Sequence, residues 1–309
     1  MAIGSAAGHP VYSGNFIPEL WSGQLNEKFY TASVFNDITN NKFEGDIGNV
    51  GDKVYIRTIP DITIRDYVKG QVLDIEHPDS PPIELLIDKA HYFNIGIDDI
   101  DAYQSDLSLM EEWSKDATEQ MRNKIDTVVL EDVYSDADSN NAGATAGAKS
   151  GAYDLGAAGA AKQITSSTVL DYIVDLGTVL DEQDVPSEGR WLVAPAWFTN
   201  LIKKSDLQDA SITGDKKSIL RNGKIGMIDR FTLYMSNNVH SAAGTGGQTG
   251  ETCWDVIAGH KSAITFANQI VKVQNVTSER TFASLVRGLN VYGYKVVVPT
   301  ALAHLYCYK

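Results

Sequence analysis

The chain has 309 residues, of which 40 are acidic and 26 basic, giving a formal net charge of -14 that repels nucleic acid at long range and leaves no general phosphate-binding field. Two cysteines, Cys253 and Cys307, are too few for a disulfide framework and fit folding in a reducing compartment. At 43% hydrophobic the chain can bury one large core or two smaller ones, but nowhere do 18 apolar residues run together, which excludes a transmembrane helix.

The opening MAIGSAAGHP has neither the basic region nor the apolar run of a signal peptide. Residues 1–45 are polar with scattered large apolar side chains, among them Phe16, Trp21, Phe29, Phe35 and Ile38. Pro18 suits the first turn of a short helix reaching about Tyr30. The segment reads as an arm lying on an apolar surface of its own subunit or of a neighbour.

From Val50 the period becomes two. VYIRTIPDITIRDY alternates Ile62 and Ile64 with charged residues, the pattern of a half-solvated strand, and IELLIDKAHYFNIGI at 83–97 is a second candidate. Between them VKGQVLDIEHPDSPP, at 68–82, holds Gly70, Pro78, Pro81 and Pro82, which predicts an exposed, projecting hairpin-like loop. A long helix follows at 105–134, with Met110, Trp113, Ala117, Met121, Ile125, Val128 and Val129 on one stripe and a polar opposite face.

DADSNNAGATAGAKSGAYDLGAAGAA, at 136–161, has no periodicity and almost nothing large to bury, so a loop or mobile insertion is expected. Helical spacing returns at 166–182 with Val169, Ile173, Leu176 and Leu180 inward, and Pro186 marks the stop. RWLVAPAWFTNLIKK, at 190–204, predicts a buried strand that breaks at Pro195 into a short helix. Further strands are expected at 231–235, 254–258 and 263–267, then in YGYKVVV and ALAHLYCY on either side of Pro299. Helices and strands are mixed without a repeated βα unit, so the fold class is α+β.

No reactive constellation emerges. The six histidines do not pair at ligand spacing, and His91 and His304 read as structural residues. HExxH, CxxC, GxSxG and phosphate-loop patterns are missing. Asp98, Asp99 and Asp101 fail the calcium-loop pattern, and Ser236 in YMSNN has no evident base. The expectation is no catalytic residue, no metal and no cofactor.

Four segments carry a resemblance: WLVAPAWFTNLIKKSDL at 191–207, GKIGMIDRFTLYMSNNV at 223–239, GHKSAITFANQIVKVQ at 259–274 and TFASLVRGLNVYGYKVVVPTALAHL at 281–305. Each motif is modestly specific and their order is strong. From about residue 12 to the end the chain resembles the major capsid proteins of tailed double-stranded DNA bacteriophages, nearest the coat branch of short-tailed Salmonella-type phages but without room for their inserted domain. The resemblance implies a tailed-phage capsid fold in four parts. These are an N-terminal arm (1–45), an extended β-hairpin loop (50–90), a peripheral domain (91–164 and 258–309) with a spine helix at 105–134, and an axial domain (165–257). The last segment would return to strengthen the peripheral sheet.

It also implies a homo-oligomer of hexamers and pentamers in an icosahedral shell, assembled in the host cytoplasm. A portal would sit at one vertex. Scaffolding would come from a separate protein, since the chain begins directly with the arm. Decoration proteins and packaged DNA bound without sequence specificity complete the partners, and no membrane is involved. Inter-subunit contact candidates are Phe16, Trp21, Phe29, Arg57, Arg65, Lys69 and Arg287. Bends between quasi-equivalent positions are expected at Gly45, Gly48, Gly51 and Gly70. Rival readings are another virion component or a bacterial nanocompartment shell, and last a soluble hydrolase, which needs a pocket of convergent polar groups.

Overall fold

The computed structural model describes residues 33–42, 53–60, 62–98, 109–205, 226–243, 251–278 and 282–309. Among these no helix is long and apolar enough to cross a membrane. The helix expected at 18–30 lies outside the described residues.

Helix α1 is Phe35–Ile38, β1 is Lys53–Ile56, β2 is Ile83–Leu86 and β3 is Lys89–Asp98. The long helix α2 runs Leu109–Asp132, about 36 Å at 1.5 Å per residue. Its second half buries Ile125 and Val129 of the predicted stripe, and with them Leu130, which the stripe did not include; these gather with Phe266, Tyr292 and Val296 in one core. Trp113, expected on the same stripe, is 39% exposed, and among the described residues none from the helix's first half joins that core.

Strands β10 (Ile264–Thr277) and β11 (Ala283–Val296) pair antiparallel, and β11 pairs in turn with β3, giving a three-stranded sheet. Its two faces alternate as a pleat requires. Phe266 and Tyr292 turn toward α2, whose carbonyl at Val128 accepts from the Tyr294 hydroxyl at 3.1 Å. Ala267 and Val291 turn the other way, where the β1–β2 hairpin covers them with Ile56, Leu85 and Ile87.

The larger sheet contains β4 (Lys162–Gln163), β5 (Arg190–Ala194), β6 (Met227–Ile228), β7 (Phe231–Met235), β9 (Thr252–His260) and β12 (Leu302–Tyr308) in the order β4-β12-β9-β5-β7-β6, with β8 (Ser241–Ala243) on β9. Period two divides its side chains. Trp191, Val193, Ile257 and Leu302 join the core shared with α2. Leu192, Ala194, Val256, Ala258, Ala303 and Leu305 face α3 (Val169–Glu182) and α4 (Ala196–Lys204) in a second core. Helix α4 starts where Pro195 supplies φ -69 at its cap, as the sequence predicts.

One expectation needs correction and one open alternative is decided. The closing segment divides: β11 enters the three-stranded sheet, but the 3-10 turn at Pro299–Ala301 redirects the chain so that β12 enters the seven-stranded one. Of the two readings of 136–161, loop or mobile insertion, the first holds, and the loop is a folded one. Ala146 and Leu155 are fully buried, and Ala146 bridges to Tyr153. The Glu182 carboxylate accepts the amides of Lys149 (2.8 Å) and Ser150 (3.0 Å), and Asn141 donates to the carbonyls of Thr300 and Leu302. Polar contacts with neighbouring elements do here what periodic apolar side chains do in a helix.

Candidate assembly surfaces

The predicted projecting loop is a ribbon that continues the β1–β2 hairpin. At its base Lys53 opposes Leu86 and Ile56 opposes Ile83. Farther out, the amide and hydroxyl of Thr63 both donate to Glu76, Arg65 pairs with Asp74 at 2.7 Å, and the Gln71 amide donates to the Val68 carbonyl at 3.0 Å. Each step up one strand is matched by one step down the other, so a single register runs from base to tip. The tip is a tight turn with Gly70 at φ 90, where glycine pays no Cβ penalty.

That register sorts the side chains. The face that is buried at the base through Ile56 and Leu85 continues outward as Ile62, Ile64, Leu73 and Ile75, which are 64%, 90%, 70% and 83% exposed. The opposite face holds the Thr63–Glu76 and Arg65–Asp74 pairs, interleaved with exposed Ile59, Tyr67 and Val72. A patch of this size is one the subunit leaves in water at substantial cost.

Among the other candidates, Arg57 and Lys69 are exposed on the ribbon without an ionic partner among the described residues, whereas Arg65 is satisfied within its own loop. Arg287 is exposed on β11 opposite Gln274 and Asn94, with the Leu289–Tyr92 pair two positions along the strand. Phe16, Trp21, Phe29, Gly45, Gly48 and Gly51 lie outside the described residues.

The described part of the N-terminal segment is docked on its own subunit. Val34, Phe35 and Ile38 are buried in the core beside α2, with the Phe35 and Phe266 rings 4.9 Å apart. Asn40 continues the edge of β10: its amide donates to the Ile264 carbonyl at 2.9 Å and its carbonyl accepts from Phe266 at 3.0 Å. Neither Asp126, which receives the amides of Val34 and Phe35, nor Asn40 stood out in the sequence.

The polar residues weighed for catalysis have structural partners. The Ser236 hydroxyl is fully buried and donates to Asp126. His91 meets the Tyr292 hydroxyl at 3.0 Å, with burial lowering its pKa and Lys124 adding to the shift. His240 and His304 lie against the two oxygens of buried Asp255 at 2.5 and 2.7 Å, with Tyr134 stacked on His240. A cleft lined by Glu84, Asp88, Lys89, Asp132, Asp136, Tyr294 and Lys295 holds no serine, cysteine or histidine. Among the described residues no cluster of histidine, cysteine and carboxylate side chains is placed to hold a metal ion.

A sequence profile of a family described as phage capsid protein matches residues 86–309, the span from β2 to the end of β12. No curated protein matches the chain. A solved structure from Mycobacterium phage Che8 is similar at 27% identity with a TM-score of 0.76, covering 94% of this chain and 97% of that one. The capsid of cyanophage P-SCSP1u is similar at 13% identity and TM-score 0.73, over 94% and 93% of the two chains. The mature capsid of bacteriophage PhiM1 gives 15% identity and TM-score 0.68, over 94% and 92%.

Proposed function

The chain belongs to the phage capsid protein family, and from that premise we propose that copies of it close into an icosahedral shell around a double-stranded DNA genome, each ribbon burying its apolar face on the adjacent subunit. Its role as a major capsid protein is structural rather than enzymatic.

The observation that carries the packing scheme is the ribbon. Four large aliphatic side chains stand exposed on one face of a single-register hairpin, and each gains about 1.5–3 kcal/mol on full burial. In this scheme residues 1–45 form an arm whose Phe16, Trp21 and Phe29 reach a neighbour. Helix α2 is the spine of a peripheral domain with the three-stranded sheet, and 165–257 gathers as an axial domain at the five- and six-fold axes. Arg57, Lys69 and Arg287, without an ionic partner among the described residues, meet acidic groups of sister copies. Arg65 serves first within its own ribbon. Gly45, Gly48, Gly51 and Gly70 supply the bends that let one sequence occupy pentamers and hexamers.

The finer assignments belong to the same reading. They are kinship with the short-tailed Salmonella-type coat branch without its inserted domain, assembly in the host cytoplasm with a separate scaffold, a portal at one vertex, and decoration proteins outside. Electron microscopy and mass measurement of the expressed full chain, with and without scaffold, test the proposal. Closed angular shells are the expected product. A stable 33.7 kDa monomer that never assembles overturns it.

A further inference from the structure

Asp126 lies in the buried half of α2 with no solvent exposure. One carboxylate oxygen accepts the amides of Val34 at 2.8 Å and Phe35 at 3.0 Å. The other accepts from the side-chain amide of Asn238 at 2.9 Å and the hydroxyl of Ser236 at 3.3 Å. Asn238 also donates to the Asn123 side chain at 2.6 Å. One side chain therefore grips three stretches remote in sequence: the long helix, the turn after β7 and the first described residues of the N-terminal segment.

Removing a carboxylate from water is expensive, and its four neutral donors offset that cost only while all of them are held in place, so Asp126 ties its own burial to one arrangement of those elements. What it specifies here is visible. Helix α1 has four residues, far fewer than a helix needs to hold itself. Its direction is set by its grips: Asp126 at the amides, Phe35 on Phe266, and Asn40 on β10.

We infer that Asp126 is a positioning residue for assembly: it fixes the point and direction at which the preceding segment joins the body, and thereby which neighbour that segment meets. The second half of the statement rests on the shell reading; the first does not.

The test uses full-length Asp126→Asn and the exchange variant Asp126→Asn with Asn238→Asp. In the single variant one side of residue 126 sets donor against donor unless the Asn238 and Asn123 amides both turn. In the exchange variant the carboxylate introduced at position 238 accepts what residue 126 now donates, and the Asn123 amide turns to match. Hydrogen exchange is read in the unassembled chain, and particle diameter in the assembled product. Asp126→Asn is expected to speed exchange at Val34 and Phe35 at least tenfold relative to β9 and β12 and to spread the particle diameters, with the exchange variant restoring both. Wild-type exchange or wild-type particles from Asp126→Asn overturn the inference. So does loss of protection across the whole chain, or misfolding that the exchange variant leaves uncorrected. Wild-type chain that forms no shells overturns the proposed function and the second half of this inference, with exchange at Val34 and Phe35 still deciding the first, whereas normal shells from both wild type and Asp126→Asn overturn this inference alone.

Discussion

Gly293 of β11 lies so close beneath Leu86 that a Cβ on the glycine would sit 2.0 Å from the Leu86 carbonyl oxygen and 2.9 Å from the Ile87 side chain. This is where the base of the ribbon crosses the three-stranded sheet, and only a residue without a side chain permits the approach. Gly293→Ala is expected to destabilise the unassembled subunit by about 2 kcal/mol or more, the usual scale of overpacking. Gly70→Ala, at a positive φ with open space around it, is expected to cost about 1 kcal/mol and only at the tip. Denaturant midpoints of the two variants distinguish them. Equal midpoints would mean that the crossing yields easily and is no constraint.

The two faces of the ribbon make opposite predictions. Ile64→Asp and Ile75→Asp change side chains that are solvated in the free subunit, so the monomer should fold as before while the yield of shells collapses. Arg65→Ala removes an exposed pair worth about 1 kcal/mol or less and should leave shells forming at reduced rate. Particle counts by microscopy at equal protein concentration provide the comparison. Undiminished shells from both isoleucine variants would show that this face is not the one that docks.

An ion network ties the turn between β6 and β7 to α3. Arg190, with its side chain fully enclosed, donates to Asp181 at 2.7 Å and to the carbonyls of Gly177, Val185 and Pro186, and Arg230 reaches the same carboxylate at 2.8 Å. Burial pushes the Asp181 carboxyl up, but hydrogen bonds from Arg190 and Arg230 outweigh it and hold the group below its ordinary 3.8. A depressed carboxyl stabilises the fold above its unfolded value and loses that contribution as pH falls through the folded one. Asp181→Asn should therefore flatten the loss of stability below pH 3.8, measured as denaturant midpoint against pH. Arg190→Met takes the Arg190 donor from three carbonyls and leaves the Asp181 carboxylate to Arg230 alone, and should cost about 3 kcal/mol at neutral pH.

Both cysteines should be chemically silent in the folded chain. Cys253 and Cys307 are fully buried, and burial, then the nearby Asp255, pushes the Cys307 thiol well up from its usual range. Thiol reagents at about pH 8 are expected to label neither until denaturant is added. Rapid labelling of either one in native conditions contradicts this.

The periodic parts of the fold were legible in the sequence. Strand β7 falls on the residues read as Phe231–Met235, and β5, α3 and α4 lie within about one to three residues of their expected bounds, since each buries one face and writes that face as a period. The course of 136–161 was not legible, because it is held by Glu182 from outside the segment and by Asn141 reaching out of it to Thr300. The ribbon was read as exposed, but its register, which pairs Thr63 with Glu76 and Arg65 with Asp74, is set by the turn at Val68–Gln71, and the loop expected at 68–82 did not place the tip there. Asp126 was invisible for a simpler reason. In a helix with many acidic residues on its polar face, nothing marks the one that turns inward to meet Val34 and Phe35.

The final strand also has a mechanical consequence. β12 is flanked by β9 along its length and by β4 at its end, while the strand before it in the chain belongs to the other sheet. Tension that draws the two sheets apart along β12 is met by backbone bonds loaded in shear, all at once rather than one after another. Pressure from within a filled particle would load this join in shear, and in the proposed packing it should outlast ribbons laid on neighbouring copies.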